Sequence, residues 1–475
     1  MECRGEPLEY PTRNTPSTTI AVVFFGVAFL VAFIVVHSSR LLRPIADDYA
    51  FGVAAQYGIV GGVIDWWMSW SGAITSMALV TLVVGLPVLH LPWGLASATA
   101  FVSAVAVLVG WSIWVLGPKG QTRGERLFTR VSMAPVFILA WFGYWWVPAL
   151  PLKGPSLAKS LAQSVTHWQT VVVQYVLVTS LLTWIWVNWE TRVEQKPTMT
   201  KRALQYALMG MVTGFAGPVF AAAACVMAAI LAAVQKLNQT THSNASIVRL
   251  IAGAFGIVLG AAISHNSPGS QYRSTYFATQ HIDLPFFYRV FTNAVPRSAY
   301  DVVSAVFHPG SFAAILTVFV GTVLMAGWTT LRSANQLAAI GVSLIVFSWI
   351  LFLVMRVSQY FAYSAFWHET SPRTVVWMGM VSLAMSGGTM TKRIPGRPFA
   401  GHAIALGGFV GVVLCTAGVF LMTDDIRSRS TLWEAGPAPL DGIADIEEVD
   451  GWVLPLWREL SLLRDVPART FSFGG

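Results

Sequence analysis

The run TIAVVFFGVAFLVAFIVV, residues 19–36, contains no charged residue and no proline. Coiled as a helix at about 1.5 Å per residue, it nearly matches the roughly 30 Å depth of a bilayer's hydrocarbon core. Further stretches without Asp, Glu, Lys or Arg cover 66–118, 160–189, 203–235, 302–331, 333–355 and 398–423. Hydrophobic residues make up 55% of the chain and charged ones 11%, whereas soluble domains carry roughly a quarter charged. A membrane β-barrel would instead show short alternating segments. The pattern predicts an all-α fold, a polytopic transmembrane bundle of about 11–13 helices.

The candidate helices are 19–37, 73–91, 93–116, 131–150, 170–189, 203–216, 218–235, 248–265, 310–331, 335–355, 374–391 and 399–421. This divides the chain into an N-terminal tail (1–18), a transmembrane domain (19–422) and a C-terminal tail (423–475). No small-residue cleavage site follows the first run, which therefore reads as a retained helix. Cys225 and Cys415 lie inside apolar runs, so the three cysteines suggest no disulfide framework. The chain has no P-loop, dinucleotide fingerprint, CxxC or HExxH motif. The net charge of +8 reads as cytoplasmic loops facing anionic lipid, with no nucleic acid as partner.

Lys and Arg cluster in cytoplasmic loops. Basic segments at 119–130, 192–202, 236–249 and 392–397 mark that side, leaving 151–167, 266–309, 357–373 and the tail outside. The tail, with ten acidic and five basic residues, suits an extracytoplasmic address. Counting 73–91 and 93–116 as two crossings would put residues 38–72 on the same side as 119–130. A re-entrant helix broken near Gly85-Leu-Pro87 or Leu91-Pro92 would put them opposite. The pattern leaves both open.

Two long segments do not span. Residues 38–72 include GGVIDWWMSWSGA (61–73), whose tryptophans favour the membrane–water boundary. Residues 266–309 include FFYRVFTNAVPRSAYDV (286–302), which reads as an interfacial helix or a substrate-facing loop. Asp47 and Asp48 sit side by side just past the first run, where they can act as a general base or metal ligands, or cap a helix. His90 is the only ionisable group in its apolar run, and the nearby proline also allows an exposed loop. His167, His265 and His308 stand beside expected helix ends, where hydrogen-bonded interface roles are commoner than ligation.

Asp47-Asp48-Tyr49 after the first helix, followed by WWMSWSGA (66–73), resembles the GT-C superfamily of polytopic glycosyltransferases. The likeness is to the bacterial, O-antigen glucosyltransferase-like branch. HWQTVVVQY (167–175) is similar to that branch's Trp…Tyr segment, and NSPGSQYR (266–273) to its Pro-Gly-Asn…Arg loop. Ala73 stands where the branch often has Arg, Ser270 replaces the usual Asn, and no His-Glu pair lies near Gly217. The resemblance implies sugar transfer from a polyprenyl-phosphate donor to a cell-envelope glycan or lipid acceptor. The reaction would occur outside a bacterial plasma membrane, with Asp47 or Asp48 as the base. It implies Arg273, Gly269 and Tyr272 at the donor phosphate, where a guanidinium fork suits phosphate oxygens. Tyr49, Asp65, Trp70, Trp168, Tyr175, His368, Glu369 and Arg373 are expected to bind substrate. A divalent cation, Mg or Ca, would fit carboxylate and phosphate oxygens, with Asp47 and Asp48 as its candidate ligands. Two other classes use similar residues. A secondary transporter or flippase would place ionisable groups in mid-helix and show inverted repeats. A membrane O-acyltransferase would carry a buried catalytic His in an apolar helix.

Overall fold

The computed structural model describes residues 18–44, 47–69, 71–117, 122–150, 157–191, 199–237, 243–271, 284–359, 369–391 and 398–435. For Asp47 and Tyr49 it describes the backbone alone. Helices occur throughout these residues and strands nowhere among them, so the chain is an all-α polytopic bundle. Eight of the helices are long and apolar enough to cross a membrane.

The first of these, α1 (Thr18–Ser38), ends in a 3₁₀ turn at Ser39–Leu41. Beyond it come the short helices α2 (Asp47–Ala54) and α3 (Gly58–Ser69). Gly58 adopts φ 72°, a left-handed value that glycine reaches without a Cβ penalty, and the chain folds back there. Phe51 then stacks on Trp66 with ring centroids 4.2 Å apart, holding α2 against α3. The pair packs along α4 (Ile74–His90), where Gly62 meets Thr81 and Gly85 meets the Phe51 backbone. Next, α5 (Trp93–Leu116) begins with Gly94 against the carbonyl of Arg40. The start of α5 thus lies beside the point where α1 ends. Of the two readings left open for 73–91, this arrangement favours the re-entrant helix. The stretch is apolar, but α4 is one of the shorter helices, and a folded-back hairpin covers it.

Thr122 and Glu125 form a reciprocal capping box at the start of α6 (Arg123–Trp146). After α7 (Leu157–Ser164) comes α8, residues 169–191, with a π-helical turn at Val172–Leu177. The helices α9 (Met199–Gly214), α10 (Pro218–Leu237) and α11 (Ser243–His265) follow. Gly210 meets Gly253, Gly256 meets Ala207 and Gly260 meets Met211, all backbone to backbone. Gly214 likewise meets Ile257, so the steps from 207 to 211 and from 210 to 214 on α9 are matched by equal forward steps on α11, and the two helices run parallel, brought close by small residues as membrane helices are.

The second half holds α12 (Leu284–Val306), α13 (Pro309–Ala326), α14 (Ala334–Ser358), α15 (Thr370–Thr391) and α16 (Pro398–Ala435). The central helix α15 is buried along most of its length. On α12, Val290 and Ala294 pack on Leu353 and Val357, while Asp301 reaches Arg356. Residues three turns apart on α12 meet a single turn of α14, so α12 lies across the end of α14. Its outer face exposes Tyr288, Phe291 and Tyr300, with Phe307 exposed just past its end. A helix therefore stands within 266–309, where the sequence predicts an interfacial helix or a substrate-facing loop. The helix α16 continues past residue 422 to Ala435, so the expected boundary at 422/423 falls inside it.

Candidate functional site

At one end of the bundle meet the last turn of α1 and the first turns of α2, α5, α8, α13 and α15. Asp48 is fully buried there, not exposed in a loop. Its Oδ1 accepts from the Thr170 backbone N–H at 2.8 Å and from the Thr170 hydroxyl at 2.7 Å. The preceding Trp168 occupies the N-cap position of α8 and makes no side-chain cap bond. Asp48 therefore serves as the cap, supplied from another segment to the second residue of the helix, where a carboxylate also suits the helix dipole.

The two glycine-bearing motifs also touch. The Ser270 hydroxyl accepts from the Gly72 N–H at 3.0 Å and donates to the Ser264 carbonyl at 3.0 Å. A Cβ at Gly72 would strike the Ser264 carbonyl, so this approach requires glycine. Gly269 is buried in the same turn.

Tyr175 is half-buried in the π-helical turn of α8, and its carbonyl accepts from Ser371 Oγ at 3.2 Å. Glu369 and Arg373 flank that serine. Arg373 donates to Glu369 Oε2 at 3.2 Å, and Arg356 donates to Glu369 Oε1 at 3.0 Å and to Asp301 at 2.6 Å. Two cations and two anions are thus buried in one alternating chain with its charges balanced. Tyr144, near the end of α6, lies beside Arg373 with its hydroxyl buried. Its ring is 4.6 Å from that of His308. His308 Nδ1 accepts from the N–H groups of Gly310 and Ser311, capping α13. Burial, reinforced by the Arg373 charge, pushes the His308 pKa down to about 3.

A second polar cluster adjoins Thr170. His167 Nε2 lies 2.7 Å from Asp425 Oδ2. The same carboxylate accepts from Gln163 Nε2 at 3.1 Å and Arg429 Nε at 3.3 Å, with Lys159 Nζ at 3.9 Å. Burial lowers the His167 pKa, opposed by its bond to Asp425.

The structure brings Asp48, Trp168, Tyr175, Glu369 and Arg373 to this one end, with Gly269 on the Gly72 turn. Asp65 is exposed on α3 and joins no described cluster. Trp70, Tyr272, Arg273 and His368, and the side chains of Asp47 and Tyr49, lie outside the described residues. Among the described residues no three His, Cys, Asp or Glu side chains form a metal-holding group. Asp301, Arg356 and Asp425 escaped sequence reasoning, because each sits in or beside an apolar helix end with a distant partner. The one available signal was that Arg356 and Asp425 interrupt otherwise apolar patterns. No family model, curated protein or solved structure matches the chain.

Proposed function

We propose that this protein is an integral membrane glycosyltransferase. It transfers a sugar from a polyprenyl-phosphate donor to a cell-envelope glycan or glycolipid, outside a bacterial plasma membrane. One observation carries the reading: motifs far apart in sequence meet at one end of the bundle. Asp48 joins HWQTVVVQY through Thr170, and the turn of WWMSWSGA joins NSPGSQYR through Gly72 and Ser270. The basic segment 119–130 follows α5, which runs away from that end, so the positive-inside rule supports a site outside the cytoplasm. The buried ions Asp301, Arg356 and Glu369 lie toward helix ends, which favours surface chemistry over a mid-membrane transport path.

In the reaction the acceptor oxygen bonds to the sugar's anomeric carbon, and the bond from that carbon to the phosphate oxygen breaks. Prenyl phosphate leaves with the electron pair, and the acceptor proton goes to a base. Two groups at this end can take it: an acid of the Asp47–Asp48 pair, as the resemblance implies, or His167. Arg273, with Gly269 and Tyr272, holds the donor phosphate. By the resemblance, Tyr49, Trp70, Trp168, Tyr175, His368, Glu369 and Arg373 are the candidate lining, with Asp65 exposed apart from them; Asp47 or Asp48 would hold a Mg or Ca ion, which would offset phosphate charge.

The test is purified protein in nanodiscs with synthetic polyprenyl-phosphate hexoses, candidate envelope acceptors and mass detection of products, with and without EDTA. Sugar-bearing acceptor is the expected product. Flux of intact lipid-linked sugar across proteoliposomes without any transfer would replace this reading with a flippase.

A further inference from the structure

We propose that His167, aimed by Asp425, is the proton acceptor of this site, and that Asp48 is the anchor of the helix on which the site stands. The assignment rests on the glycosyl-transfer reading above. Three features of the geometry support it.

The first is how Asp48 is used. Its Oδ1 takes both an N–H and an O–H from Thr170 in full burial. This oxygen is thus committed to Thr170 by two donors. Both bonds also hold the first turn of α8 in place, which is a structural task.

The second feature is how His167 is held. A carboxylate only accepts hydrogen bonds, so the 2.7 Å contact requires Nε2 to carry the proton. Nδ1 is then the basic nitrogen, and it has no hydrogen-bond partner among the described residues. Asp425 is itself fixed by Gln163, Arg429 and Lys159, from α7 and α16. A base whose second nitrogen is oriented by an ionised carboxylate is the arrangement general-base catalysis uses.

The third feature is location. His167 lies three residues before Thr170, so the imidazole and the Asp48 anchor flank the start of one helix. In the step proposed here the acceptor O–H bond breaks and an Nδ1–H bond forms. The resulting imidazolium is stabilised by Asp425, while the electron pair from the broken carbon–oxygen bond leaves on prenyl phosphate. Its burial lowers the imidazole's pKa, which keeps it neutral and able to accept a proton at physiological pH.

The charged groups around His167 are Asp425 and Arg429 on α16, Lys159 beside α7's first turn, and Asp48 across Thr170. The experiment compares the parent with His167→Gln, Asp425→Asn and Asp48→Asn in the nanodisc transfer assay across pH 4.5–8, with melting temperature recorded for each. The parent should lose kcat/KM in acid as His167 protonates. His167→Gln should lose about 10²-fold or more in kcat and lack that acidic limb. Asp425→Asn should lower kcat with KM retained and shift the limb. Imidazole should restore part of the turnover of His167→Gly, which a purely structural histidine would not allow. Turnover of His167→Gln within about threefold of the parent, with the limb intact, overturns the assignment. So does failure of imidazole rescue in a folded His167→Gly protein. A limb abolished by Asp47→Asn or Asp48→Asn alone returns the role to the acid pair. If the parent transfers sugar from no prenyl-phosphate donor, the functional reading fails and takes the assignment with it.

Discussion

Replacing Arg356 with methionine tests whether the buried ion chain is held together as the geometry indicates. Arg356 and Asp301 side chains are each 9% exposed, and Glu369 is 10% exposed. Glu369 keeps a second cation, Arg373, at 3.2 Å, whereas Asp301 has Arg356 as its one ion-pair partner among the described residues. Arg356→Met therefore strands one buried carboxylate and weakens another. Removing one member of a buried pair costs about 3–5 kcal/mol. Asp301→Leu strands no charge outright, because Arg356 still reaches Glu369 and Gln359, so its cost should be smaller. In the double variant neither charge of that pair remains, and the loss should fall short of the sum by about 2 kcal/mol or more. The assay is unfolding of the four proteins in one detergent, followed by tryptophan fluorescence. Additivity within about 0.5 kcal/mol would mean the pair is not coupled, and the reasoning would be wrong.

Asp48→Ala should destabilise the protein by roughly 2–4 kcal/mol, because the Thr170 N–H and hydroxyl lose a charged acceptor in full burial, while Asp48→Asn keeps an acceptor and should cost less. The two melting temperatures check this, and equal values would refute the cap. His308 contributes stability that is present above its unfolded pKa of about 6.5 and lost as pH falls toward about 3, since its folded pKa is depressed. His308→Asn keeps a capping acceptor without titrating, so its acid-stability curve should be flatter than the parent's across that window. Single cysteines at Asn266→Cys and Gly124→Cys, with the native thiols replaced, should react with an impermeant reagent from opposite sides of the membrane. Labelling of both from one side would refute the topology.

Charge-free runs revealed most of the helices because apolar side chains around the whole circumference leave lipid or protein as the only neighbours. His308 was legible as a hydrogen-bonded residue beside a helix end, but not as the cap of α13. α4 stayed undecided between a crossing and a re-entrant helix because hydropathy records apolar character but not neighbours: Gly62 and Gly85 let a folded-back hairpin lie along it. The parallel run of α9 and α11 depends on which glycine faces which backbone, and that depends on the tertiary fold. Arg356 with Asp301 and His167 with Asp425 lie 55 and 258 residues apart, so no local spacing announces them. Asp48 was noticed as a residue, but its burial depends on Thr170, which nothing near residue 48 encodes.

The Asp48–Thr170 cap links residues 122 apart, and this has a consequence for biosynthesis. Chains grow at about 5–20 residues per second, so this carboxylate waits on the order of ten seconds for its partner to be made. During that interval α1, α5 and α6 can already be in the bilayer, while the α2–α3 hairpin has no fastening at its leading end. Asp425 comes later still, so the stretch leading into α8 acquires its two polar clasps in sequence, one in the first half of synthesis and one near its end. A ribosome-stalled chain ending shortly before Thr170 should therefore expose the first loop to protease, and one extended well past it should not.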